Sequence, residues 1–221
     1  MLKFLRRDRE HRDRDDRDPA AEAAAAFWRR WARLRPAVAA ALDSGEVHIV
    51  EARVASAVAV LHRRLGWSLS GGSDDPTERY TLVVTGEGDE QLRALTDAWL
   101  AAAPADLDWD YHDSAQAMDD PADFTLGIGE LQVALADVRV TAIADGDKLH
   151  VAVFHPAMPR LRGEDRDVLS FVALDTALGE RVVERRIGYV EPVDAAPAHA
   201  VDLLELRTLV TSLDRGRQIV A

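Results

Sequence analysis

The chain has 221 residues, 48% hydrophobic and 30% charged, with no cysteine and a formal net charge of −12. That length carries one large domain or a core domain with an accessory arm, and that mix is ordinary for a globular protein. The missing cysteines exclude disulfides, thiolate zinc sites and a cysteine nucleophile, and they fit a reducing cytoplasm.

The charge is unevenly spread. Residues 1–35 hold eleven Lys/Arg and seven Asp/Glu, which leaves sixteen Lys/Arg and thirty-two Asp/Glu for residues 36–221. A body this acidic repels phosphate backbones, so nucleic acid is not expected as a partner, whereas a basic protein suits it. Lysine occurs only at Lys3 and Lys148, and the wealth of Ala, Arg, Asp and Val points to a GC-rich bacterial genome. The N-terminal MLKFLRRDREHRDRDDRD is basic at first but has no apolar run behind it, so it does not read as a secretory signal. The longest weakly polar stretch, Val54 to Leu61, is too short to span a bilayer. A soluble cytoplasmic protein with no membrane partner is expected.

Residues 1–18 have no apolar face and are expected to form a disordered charged arm. Asp18-Pro19 is a helix start, with an N-cap aspartate and proline at the first helical position. The helix continues to about Ser44, with Phe27, Trp31 and Leu34 on one face and Arg29, Arg30 and Arg33 opposite. Pro36 is expected to kink or split it. Val47 to Leu65 carries a second stripe of Val47, Val50, Val54, Ala57, Val58 and Leu61, giving a helical hairpin over residues 19–65. Phe27, Trp28, Trp31 and Leu34 make a surface too apolar to leave in water. The hairpin should therefore pack on its own sheet or on a second subunit, and a homodimer is expected.

From Gly66 the period changes to 2. Trp67 and Leu69 begin a strand, Ser73 to Glu78 form a loop, and Tyr80, Leu82 and Val84 mark the next strand. Asp89 opens a helix that ends before Pro104, and Trp109 and Tyr111 mark another strand. Phe124 to Ile128 and Leu131 to Leu135 alternate, with a slip at Ala136-Asp137 that predicts a bulge. Asp145-Gly146 between two alternating runs is the strongest hairpin signal. Gly163 to Leu178 reads as a helix anchored by Val168, Phe171, Val172 and Ala173 and capped by Gly179. Val183 to Val190 reads as a strand, and Pro197 to Leu213 as a closing helix with Val201, Leu204, Leu209 and Leu213 inside. The order predicts an α+β fold, a mostly antiparallel sheet covered by helices after an N-terminal helical hairpin, with residues 66–221 forming one α+β domain. Two strand–strand–helix–strand runs stand out within it.

No catalytic constellation is present, and neither a catalytic residue nor a cofactor is expected. The candidate metal ligands are Asp108, Asp110 and His112, which a strand would project on one face with Trp109 and Tyr111 on the other. Asp119, Asp120 and Asp123 would complete the shell of a metal-dependent hydrolase if the chain folded back. The plainer reading is a half-exposed strand with its charged side in water. His150 and His155 are an odd number apart and face opposite sides of a strand.

Two further patterns, Ala103-Pro104 with Trp109 and Leu174-Asp175-x-x-Leu178-Gly179-Glu180, resemble those of uncharacterised bacterial proteins of unknown function. The resemblance spans Gly66 to Leu213 and implies an α+β fold and a bacterial cytoplasmic origin. It implies no activity and no site residues. Taken together, the sequence predicts a non-enzymatic interaction module with an acidic surface, the metal-dependent hydrolase being the alternative.

Overall fold

Asp18 starts the first helix because its side chain accepts from the Ala20 N–H at 3.0 Å while Pro19 takes the first helical position, where no donor is lost. This helix, α1 (Pro19–Asp43), runs through Pro36 as one 25-residue element. The expected split does not occur. An interior proline costs about 3 kcal/mol, but Phe27, Trp31 and Leu34 before it and Val38 and Ala41 after it are buried in one core. The computed structural model describes residues 18–71 and 79–218, so the charged arm before Asp18 and the Ser73–Glu78 loop lie outside the described residues.

The chain divides into two units, Met1–Asp113 and Ser114–Ala221. In the first, α1 is followed by a single 3-10 turn, then α2 (Glu51–Val58), β1 (Gly66–Ser70), β2 (Tyr80–Thr85), α3 (Glu90–Ala101) and β3 (Trp109–His112). β1 and β2 pair antiparallel, Gly66 opposite Thr85, and β3 adds parallel to β2, Tyr80 opposite Trp109. A parallel neighbour needs a crossover, and α3 supplies it. Asp89 caps α3 by accepting from the Gln91 N–H at 2.9 Å. The apolar face of the helical pair is buried within this same unit, against Leu82 and Val84 of β2, Trp99 of α3 and Trp109 of β3. Trp28 stacks on Trp99 at 5.2 Å, Phe27 meets both edge-on, and Trp31 stands edge-on to Trp109 at 5.1 Å. Such ring pairs add about 0.5–1.5 kcal/mol each beyond the area they bury.

The second unit holds β4 (Thr125–Ile128), β5 (Leu131–Ala134), β6 (Arg139–Asp145), β7 (Lys148–Phe154), α4 (Gly163–Leu178), α5 (Glu180–Arg186), β8 (Ile187–Val193) and α6 (Leu203–Gln218). β4 and β5 form a hairpin sheet of their own, and β6, β7 and β8 form a three-stranded sheet in that order. The slip at Ala136-Asp137 is not a bulge. It is a 3-10 turn, Leu135–Asp137, which buries Leu135 and ends one sheet before the next begins. The Asp145-Gly146 hairpin forms as expected, with Asp145 opposite Lys148 and Gly146 at φ +61°, the left-handed region that glycine enters freely. Val183 to Arg186 belong to α5 and not to a strand, since Glu180 and Val183 face inward at helical spacing. The last helix starts six residues later than the apolar pattern suggests. Asp202 accepts from the Glu205 N–H at 2.8 Å and Glu205 returns a bond to the Asp202 N–H at 3.2 Å, a reciprocal cap that sets its start.

Both units repeat one scheme: two antiparallel strands, a helical crossover, and a third strand parallel to the second. The fold is α+β, with small, mostly antiparallel sheets and helices packed on them. Among the described residues no helix is long and apolar enough to cross a membrane.

The strand end after β7 is tied by His155, 5% exposed, whose Nδ1 accepts from the Ala157 N–H at 2.9 Å. The other ring nitrogen therefore donates to the Ala134 carbonyl at 3.1 Å, and the imidazole is held neutral. Burial pushes its pKa below the ordinary 6.5, ahead of the opposing pull of the Ala134 carbonyl. A depressed pKa means that the unfolded chain takes up the proton first, so stability is present above about pH 6.5 and falls on acidification. His155→Gln should therefore flatten the acid limb of a urea-midpoint profile between pH 6.5 and 5. An unchanged limb would show that His155 does not titrate differently on unfolding.

Candidate functional site

α4 begins after an extended Arg162, with Glu164 and Asp165 in its first turn, where the positive end of the helix dipole favours them. Its inward face consists of Leu169, Ser170, Ala173, Leu174 and Ala177. Val168 and Phe171, expected from the sequence to anchor the helix, point the other way and are 48% and 47% exposed. Spacings of three and four residues place Glu164, Val168 and Phe171 along one outward stripe, with Asp165 and Asp167 at its borders, while Asp175, one turn further on, is largely buried. The only cation within the helix, Arg166, is turned aside to Asp194 at 2.9 Å and the Pro192 carbonyl at 3.1 Å. The stripe is thus an apolar centre bordered by carboxylates with no cation of its own helix among them.

Its C-terminal end is closed by a backbone clamp. Gly179, at φ +81°, ends α4 and lies so near the 115–117 segment that a Cβ would sit 3.2 Å from the Ala117 nitrogen. Glu180, 4% exposed, accepts from the Ala115 N–H at 2.9 Å while its own N–H donates to the Ala115 carbonyl. The Met118 N–H donates to the Thr176 carbonyl, and Arg207 of α6 donates to the Ala177, Met118 and Asp119 carbonyls. The Leu178-Gly179-Glu180 pattern is the hinge of this clamp. Asp175, beneath it, has its carboxyl pushed up to about 7, first by burial and then by Glu180 and Glu184.

The sequence-predicted ligands are placed differently from one another. On β3 and the residue before it, Asp108 is exposed, Asp110 pairs with Arg79 at 3.2 Å, and His112 is half-buried; Trp109 is buried with Tyr111 stacked on it at 6.3 Å. Asp119, Asp120 and Asp123 are exposed residues of the second unit, and Asp120 accepts from the Ala122 N–H to cap a 3-10 turn. Among the described residues no group of three or more histidine, aspartate or glutamate side chains is placed to hold a metal ion. His150 contacts Asp145 at 3.2 Å and Tyr189 edge-on.

Comparison with family models, with curated proteins and with solved structures finds no match to this chain. Its function has to be argued from its own residues.

Proposed function

We propose that this is a non-enzymatic interaction module of a bacterial cytoplasm, which takes a basic partner protein on the outward stripe of α4. The observation that carries the reading is the half exposure of Val168 and Phe171 among Glu164, Asp165 and Asp167. A ring and a branched side chain left in water beside carboxylates fit a partner helix with an apolar stripe flanked by Arg or Lys. Aromatic side chains at the centre of such contacts carry most of the binding energy, and the charged rim sets the encounter rate. The absence of cysteine fits that compartment.

The test compares the parent with Phe171→Asp in a pull-down from the native lysate at low and moderate salt. Expected is a basic protein retained by the parent, released as salt rises, and lost on Phe171→Asp. The variant should melt within about 0.5 kcal/mol of the parent, because its side chain is at the surface. A partner that binds both proteins equally, or none at either salt, would sink the proposal.

A further inference from the structure

We infer that the concavity between α1 and α2 binds a compact, multiply phosphorylated small molecule. It lies in the first unit, far in kind from the acidic stripe of α4, and the inference does not rest on the reading above. Arg29, Arg30 and Arg33 of α1 and Arg53 of α2 line a hollow of about 530 Å³ together with Ala26 and Leu34.

Three observations lead to this ligand. The first is electrostatic. Arg29 and Arg33 are four apart on the helix and Arg30 and Arg33 three apart, so like charges repel along one face. Among the described residues none of these four arginines has a carboxylate partner, although the chain holds thirty-nine Asp and Glu. Arg35 pairs with Asp106, Arg64 with Asp89, Arg79 with Asp110 and Arg166 with Asp194, whereas these four line one hollow together. The second is positional. Arg30 donates to the Ser56 hydroxyl at 2.7 Å, which carries its guanidinium across to α2, and Arg53 of that helix lines the same hollow. The third is chemical. Guanidinium groups present paired N–H donors that match the oxygens of a phosphate, and four of them call for several negative charges close together.

The net charge of −12 decides the size of the ligand. A long polyanion such as a nucleic acid would meet repulsion from the rest of the surface at every turn of its backbone, whereas a compact one meets only the local positive field. The hollow is open and four of its six lining residues are arginines, so it meets a ligand through charge and not through enclosure.

The experiment is calorimetric titration of the full chain with inorganic tripolyphosphate, with orthophosphate, citrate, a glutamate-rich peptide and duplex DNA as rivals. Expected is saturable, salt-sensitive binding of tripolyphosphate, tighter than any of the others. Arg33→Gln and Arg53→Gln should each weaken it about ten-fold, the loss of one charge-assisted hydrogen bond or more, while melting without ligand stays at the parent value. Arg33→Lys should restore only part, because an ammonium lacks the fork. Absence of saturable binding overturns the site. Equal binding by the glutamine variants overturns its location, and tighter binding of citrate, the peptide or DNA overturns the ligand class.

Discussion

Replacing Trp31 with alanine is expected to lower the stability of the first unit by about 3–5 kcal/mol, the usual cost of deleting a buried large aromatic. Trp31 is 1% exposed, lies parallel to Phe27 at 6.0 Å and stands edge-on to Trp109. Its removal opens a void shared by α1 and β3, so neither can close on it without moving the other. Its indole N–H also donates to the Tyr111 hydroxyl at 3.2 Å, but that hydroxyl keeps a second partner in Asp106. The cavity and not the lost bond should dominate. Trp31→Phe, which restores a ring against Trp109, should therefore recover most of the loss. All five tryptophans lie in the first unit, so the fluorescence midpoint in urea reads this unit directly. A midpoint for Trp31→Ala equal to the parent's would mean that α1 is a loose appendage.

The second large effect runs in the opposite direction. Asp175→Asn is expected to stabilise the second unit above pH 7 and leave it little changed near pH 4. The folded carboxyl holds its proton up to about 7, whereas an ordinary aspartate gives it up near 3.8. Between these values the folded state binds more protons than the unfolded one, so parent stability declines as pH rises through that window and levels off beyond it. A shift of that size corresponds to roughly 4 kcal/mol. The amide resembles the neutral acid in shape and cannot ionise, so the variant should lack the decline. Far-UV circular dichroism in urea at pH 5 and pH 8 measures it. An Asp175→Asn protein less stable than the parent at pH 8 would show that the charged form has a partner that offsets its burial.

The elements that depend on a few adjacent residues were legible in the chain. Asp18-Pro19, Asp89 and Asp145-Gly146 act through caps and turns whose partners lie within three residues, so their consequences hardly depend on what surrounds them. At the entry to β3 the reading was equally clear, with Trp109 buried and Asp108, the residue before the strand, exposed, whereas Asp110, Tyr111 and His112 are all half-buried. The phases of α4 and α6 were not. In α4 apolar residues occur nearly all round the helix, and the larger Val168 and Phe171 suggested the inner face that Leu169, Ala173 and Leu174 in fact occupy. In α6 Leu203, Leu206 and Val210 are buried at true helical spacing, whereas Leu204, Leu209 and Leu213 are exposed.

Where most helices and strands form, that the fold is α+β, and that Arg29 and Arg33 lie away from Phe27 and Trp31 could all be read from the chain. Those are matters of local backbone preference and of the period of one element, which need no knowledge of its neighbours. It took the packing of distant segments to bury the tryptophan face of α1 on its own unit, to bring Arg53 of α2 to the arginines of α1, and to leave Phe171 outside. The same packing decided the protonation of Asp175, because that depends on Glu180 and Glu184 and on the burial of its carboxyl. Burial and charge are properties of what surrounds a residue, and the surroundings come from segments far apart in the chain.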